Sequence, residues 1–293
     1  MDTQLLADGL GWAEGPAVLA DGRVCFVETF RSQVSVWDQE RGVGRYAYTA
    51  GGPNSCVVGA DGALYVCQNG GTVGPWRAEE MSVPSIQRIA TEGGAAEVIV
   101  TEIDGHPFNG PKDLVFGPDG RLYFTDPGTY RPADPEPSRI FVLDQSGRSA
   151  LLVELEPPTF PNGIAIEANG DVVWAESYTG MVRRCRSNGT GVEDVGRLPG
   201  DNPVADGLAV AADGRLFVTT VNGGGIDVLN ADGTYDQFIE AGSIPTNCVF
   251  VGDRLFMTDA GAVADTADAS FTGQLWLIET GVEGGPTWTG AVG

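Results

Sequence analysis

The chain has 293 residues, is 42% hydrophobic and carries a formal net charge of −23, from 17 basic and 40 acidic side chains. That is ample for a sizeable core, while the acidic balance excludes partners that need a basic surface, such as nucleic acid or an anionic membrane. No run of 18 apolar residues predicts a membrane span, and Met1-Asp2-Thr3-Gln4 lacks the basic and apolar parts of a signal peptide, so the expectation is a cytoplasmic protein.

In chain order, Thr3 to Ala7 reads as a short strand, and a repeated sentence follows. Glu14 to Phe26 is a polar head, an apolar run, the turn Asp21-Gly22 and a second apolar run, which is a β-hairpin signal. Copies follow at Asn54 to Val66, Lys112 to Phe124, Asn162 to Trp174 and Asp206 to Val218, with a shortened copy at Thr246 to Met257. Turn-to-turn spacing is 40, 58, 50 and 44 residues for the full copies. Two further strands follow each hairpin but the last, which has one, Gln274 to Glu279, and then a glycine-rich tail. Four strands at this period predict an all-β, six-bladed propeller, one domain over 1–293. The strand missing from the sixth blade is supplied by Thr3 to Ala7, which closes the ring and protects its sheet edges. Gly70 to Pro84 is an insertion long enough to serve as a lid or specificity loop. Cys25, Cys56, Cys67 and Cys248 lie in apolar strand-like runs, and the odd total of five cysteines fits reduced, buried thiols.

The first strand of each propeller blade lines the central channel, so the six heads, Glu14, Asn54, Lys112, Asn162, Asp206 and Thr246, are expected to meet at one mouth. Glu14, Asn162 and Asp206 offer two carboxylates and an amide oxygen, with Asn54 able to add another, a set that suits a hard divalent cation. Two carboxylates aimed at one axis also repel without a cation between them. An asparagine or aspartate at one strand start is ordinarily a turn cap; the register across the repeats is what points to a site.

These residues carry a resemblance. Glu14-Gly15-Pro16 after Gly11-Trp12, Asn109-Gly110-Pro111-Lys112-Asp113-Leu114, Phe160-Pro161-Asn162-Gly163-Ile164-Ala165 and Asp206-Gly207-Leu208 resemble the motifs of the gluconolactonase, senescence-marker-protein and luciferin-regenerating-enzyme family of six-bladed propellers. The resemblance implies one divalent cation, Ca²⁺ first with Mg²⁺, Mn²⁺ or Zn²⁺ as alternatives, held by Glu14, Asn162 and Asp206. It also implies hydrolysis of a lactone or related cyclic ester on a small-molecule substrate, with Asp206 as general base or nucleophile. The chain departs from the family at Lys112, where an asparagine is usual.

Lys112 is the only lysine; the other 16 basic residues are arginine. Three roles are open to it: a point charge that anchors a substrate carboxylate or an oxyanion, a base or Schiff-base amine of lowered pKa, or a salt bridge to Glu14 or Asp206 that fills the site of a metal-free protein. The second makes a lysine-assisted lyase of retro-aldol type the alternative function, and a non-catalytic ligand-binding propeller is a third reading. Asn54, Asn109, Tyr130 and His106, the only histidine, are candidate substrate contacts beside Lys112, and Phe108, Trp76 and Phe160 are candidates for an apolar wall.

Overall fold

The computed structural model describes residues 1–261 and 272–292. Their strands form six four-stranded antiparallel sheets arranged as the blades of a propeller, with two small two-stranded ribbons besides. No α-helix occurs among the described residues, and hence none long and apolar enough to cross a membrane. The inner strands are Ala13–Val18, Pro53–Val58, Leu114–Phe116, Pro161–Ile166, Ala205–Val210 and Pro245–Val251. Each touches the next in a closed cycle around the axis. The expected N-terminal closure is present: Asp2–Leu10 pairs with Gly273–Glu279, running Asp2 opposite Glu279 to Leu10 opposite Gly273. The N-terminal strand is thereby the outermost strand of blade six, in one sheet with the last strands of the chain.

The β-rich sequence packs as the hairpin pattern demands. Branched and aromatic side chains of neighbouring blades interdigitate, as where Tyr123, Ile140 and Val142 of blade three meet Ile164, Val172 and Trp174 of blade four. All five cysteines, Cys185 included, are free and buried in these layers, and burial raises the Cys56 thiol to about 12.

Two devices fix the inner strands relative to one another. Hydroxyls reach from one blade to a carbonyl at the head of the next: Thr29 to Pro53 O (2.7 Å), Thr125 to Asn162 O (2.8 Å), Ser177 to Ala205 O (2.6 Å), Thr219 to Thr246 O (2.8 Å) and Thr246 to Ala13 O (2.7 Å). The ends of the second strands brace the entering loops. Glu28 accepts the Gly11 N–H, Gln68 the Gly52 N–H, Asp126 the N–H groups of Asn109 and Gly110, and Asp259 those of Ser243 and Ile244. Buried backbone donors are thus paired where the loops dive towards the axis.

The glycine-rich tail crosses the opposite end of the propeller, where the hairpin turns lie. Gly284 bridges Ala211 of blade five, Trp288 packs on the cores between blades two, three and four, and Gly290 O accepts the Ala60 N–H of blade two. The tail ties blades two, three, four and five together at the turn end, which leaves the head end as the working face.

Candidate active site at the head of the channel

Five of the six heads stand where the inner strands are irregular. Ladder register shifts between Glu14 and Ala17, Pro53 and Ser55, Pro161 and Ile164, Ala205 and Leu208, and Pro245 and Asn247. Such bulges re-aim side chains. Close approach of neighbouring strands explains the glycines that follow three heads. A Cβ on Gly15 would lie 2.2 Å from Ser55 Cα, one on Gly163 2.4 Å from Asp206 O, and one on Gly207 2.5 Å from Asn247 Cα. The motifs Glu-Gly, Asn-Gly and Asp-Gly are therefore packing statements as much as chemical ones.

Glu14, Asn162 and Asp206 are all buried, 4%, 7% and 7% exposed, at the heads of blades one, four and five. Burial, and then the charges of Asp206 and Asp113, hold the Glu14 carboxyl well above its ordinary range, with Lys112 and the Gly15 N–H opposing. Asp206 is likewise raised, first by burial and then by Asp113, again against Lys112. Three acids from blades one, three and five therefore share one electrostatic environment. Asn162 is oriented by its Nδ2 donating to Ser177 Oγ at 3.2 Å, while its Oδ1 is buried with no hydrogen-bond partner. An unpaired buried acceptor is costly unless something meets it.

This donor set fits a hard cation. Two buried carboxyls of raised pKa, with Asp206 adding to the rise at Glu14, and one fixed, unsatisfied amide oxygen are oxygen ligands suited to positive charge. No cluster of three or more His, Cys, Asp or Glu able to hold a metal occurs among the described residues, so the amide oxygen is essential to the set. The lack of nitrogen and sulfur donors favours Ca²⁺, Mg²⁺ or Mn²⁺ over Zn²⁺.

Lys112 takes neither carboxylate as a partner. Its Nζ donates to Asn54 Oδ1 at 3.1 Å and lies 5.9 Å from the centroid of the Phe160 ring. The salt bridge to Glu14 or Asp206 weighed above is not formed. Two residues that the head pattern passed over complete the site. Asp113 is buried directly after Lys112, and Asn247 follows Thr246; Asn247 Nδ2 donates to Asp113 Oδ2 at 2.7 Å, and Asp113 Oδ1 has no partner. Burial raises Asp113 to about 7, while the hydrogen bond from Asn247, the charge of Lys112 and the nearby Ser55 hydroxyl oppose that shift. Thr246 itself spends its hydroxyl on Ala13 O, so Asn247 is the polar side chain that blade six offers its neighbours in the channel. Position within the repeat could have found both, had head and following residue been read as a pair.

The remaining candidates divide. Asn109 is half-buried, and its backbone N–H is bound to Asp126, so it braces the loop. Tyr130 is exposed and packs edge-on to Phe160 at 5.3 Å and beside Tyr178 at 5.2 Å, flanking the Lys112 corner. His106 sits in a ribbon, Glu102–Ile103 with His106–Pro107, that packs against the outermost strand of blade three, which places it towards the rim. Phe108 is a core residue, 5.2 Å from Phe124 and 5.4 Å from Phe141, because its blade needs an aromatic filler there. Trp76, in the Gly70 to Pro84 insertion, stacks on Phe30 at 4.7 Å, and Phe30 meets Trp12 at 5.1 Å beside the first head.

A closed six-bladed propeller with an oxygen-donor cluster at the head of its channel is the class these features define. Residues 12–261 match the family model described as SMP-30/Gluconolactonase/LRE-like region, and the chain belongs to that family. It is 24% identical to a gluconolactonase of Zymomonas mobilis subsp. mobilis, over 92% of this chain and 82% of that one. Among solved structures it is similar to a gluconolactonase from Xanthomonas campestris, with 22% identity, TM-score 0.75, and 96% and 89% of the two chains covered. It is also similar to regucalcin, a calcium-binding protein, from Agrobacterium tumefaciens, with 18% identity, TM-score 0.75, and 99% and 97% covered.

Proposed function

We propose that this chain is a lactonase dependent on one divalent cation held by Glu14, Asn162 and Asp206, with Ca²⁺ as the first candidate. The observation that carries the reading is the buried, unpartnered Oδ1 of Asn162 beside two buried carboxyls of raised pKa. Family membership and the Zymomonas gluconolactonase support the reaction, and the calcium-binding Agrobacterium relative supports the cation.

When bound, such a cation supplies polarisation of the lactone carbonyl and stabilises negative charge on its oxygen. The chain supplies the rest. Asp206 is free of hydrogen bonds and ion pairs among the described residues, and its carboxylate takes the proton of the attacking water or attacks the carbonyl itself. Asn162 is held by Ser177, and Glu14 by the tight turn at Gly15, so the ligands are ordered before substrate arrives. Lys112, Asn54 and the Phe160–Tyr130 corner bind the part of the substrate remote from the reacting carbonyl. The acyl C–O bond breaks, the ring oxygen takes back the proton that Asp206 accepted from the water, and a hydroxy acid leaves. By the nucleophilic route the ring oxygen takes its proton from solvent, and water then hydrolyses the anhydride on Asp206, releasing the hydroxy acid and restoring the carboxylate.

The test is acid release from a sugar lactone at constant pH, with calcium and then with excess chelator. Turnover that needs the cation and is lost in Glu14→Gln and Asp206→Asn supports the assignment; turnover indifferent to both sinks it. Borohydride trapping of a substrate adduct on Lys112 would instead favour the lyase.

A further inference from the structure

Of the six heads, five are acid, amide or hydroxyl and only Lys112 is cationic. Its ammonium has three donors, one of which goes to the neutral Asn54 oxygen at 3.1 Å. Its other close neighbour is the face of Phe160, also uncharged. Among the described residues it forms no ion pair, although the carboxyls of Glu14, Asp113 and Asp206 all feel its charge. Lys112 is partly exposed while Glu14 and Asp206 are buried, so of these charged heads the lysine is the one solvent reaches most. A cation with free donors, partly exposed and facing an aromatic corner, is placed to receive an anion that enters from outside.

The choice of residue points the same way. The arginines that ion-pair do so with acids of this chain, as Arg88 with Asp61 and Arg139 with Glu154. A compact ammonium on a flexible stem is kept only at the channel, where it acts as a point charge rather than a planar fork. Lys112 is on blade three and the cation ligands are on blades one, four and five, so the anionic group and the reacting carbonyl belong to different parts of one molecule.

We propose that Lys112 selects lactones carrying a carboxylate remote from the ester, so that the substrate class is an anionic sugar-acid lactone rather than a neutral one. This rests on the lactonase reading above and narrows it. The field of the net charge of −23 is screened beyond about 8 Å at physiological ionic strength, and of the acids near Lys112, Glu14 and Asp206 are the ones the proposed cation would neutralise. Discrimination is therefore local to the ammonium.

The experiment compares D-glucaro-1,4-lactone, which carries the extra carboxylate, with D-glucono-1,4-lactone, its neutral counterpart, in the calcium-loaded protein. The expected ratio of kcat/KM, charged over neutral, is at least tenfold; it falls at least tenfold in Lys112→Met and is largely kept in Lys112→Arg. A wild-type ratio at or below one, or a ratio that Lys112→Met leaves unchanged, overturns the proposal. If neither lactone is opened, the lactonase reading fails on its own, and calorimetric titration with the same two compounds still decides the selectivity. Tighter binding of the charged lactone that is lost in Lys112→Met upholds it; equal or absent binding of the two overturns it.

Discussion

Asn247 Nδ2 donates a 2.7 Å hydrogen bond to Asp113 Oδ2, joining blade six to blade three across the propeller axis. These blades stand opposite one another in the ring, so the contact spans the channel directly beside the proposed cation ligands. Asp113 Oδ1 has no partner, and the pair is a strut under strain of charge rather than of geometry.

Removing the donor leaves a buried carboxyl with less compensation. Asn247→Ala is expected to lower the stability of the chelated protein by about 2 kcal/mol, within the usual range for an orphaned buried acceptor. Urea unfolding measures it. A change under about 0.5 kcal/mol, the ordinary surface value, would show that the strut carries no energy.

Glu14→Gln and Asp206→Asn keep shape while removing one charge each from the oxygen set. Each is expected to weaken calcium binding by about a hundredfold or more, as loss of a charged ligand does to a hard-cation site. Isothermal titration reads the affinity. Calcium should also raise the melting temperature of the wild-type protein and not of the variants, since only a ligand of the folded state stabilises it.

Gly163→Ala puts a Cβ 2.4 Å from Asp206 O and 2.6 Å from Leu208 N, both backbone atoms of the next blade. The expected cost is about 2 kcal/mol, in the range of overpacked cores, with weaker cation binding because the Asp206 strand must shift. Gly44→Ala is the control, for an added carbon there meets nothing. Equal behaviour of the two variants in thermal unfolding would contradict the close packing of heads.

Asp126 gives a pH dependence. Its carboxyl is raised by burial from 3.8 to about 6, against the N–H groups of Asn109 and Gly110. The folded form thus holds its proton more tightly than the unfolded chain. The stability it contributes is fully present below the unfolded value and is lost as pH rises through the folded one. Between pH 4 and 6.5 the loss amounts to about 3 kcal/mol at most. Asp126→Asn should flatten that part of the stability profile of the chelated protein; an unchanged slope from denaturant titrations across this window would refute the shift.

The hairpins were legible because period-two apolar runs around Asp-Gly and Asn-Gly leave little choice of register. Ile164 opposite Trp174 and Val18 opposite Val24 follow from that pattern. The closing strand was legible too, since a sixth blade with three strands needs a fourth. Asp113 and Asn247 were not. A bulge at the sixth head breaks the strict in-out alternation before Asn247, and Asp113 lies just ahead of the Leu114–Phe116 strand, where no alternation applies. His106 is a candidate by its place before the third head and Phe108 as an apolar wall; the ribbon of Glu102–Ile103 with His106–Pro107 packs on the outermost strand of blade three, and Phe108 is buried in the core against Phe124 and Phe141.

By itself the sequence determined the repeat, its closure and the residue types at the heads, because these are set by local hydrophobic period and turn chemistry. Only the tertiary structure decided which heads are left unsatisfied. Whether Asn162 Oδ1 is paired, whether Lys112 meets an acid or an amide, and whether Asp113 finds Asn247 all depend on contacts between blades far apart along the chain. Those contacts arise only once the ring has closed and buried the groups together.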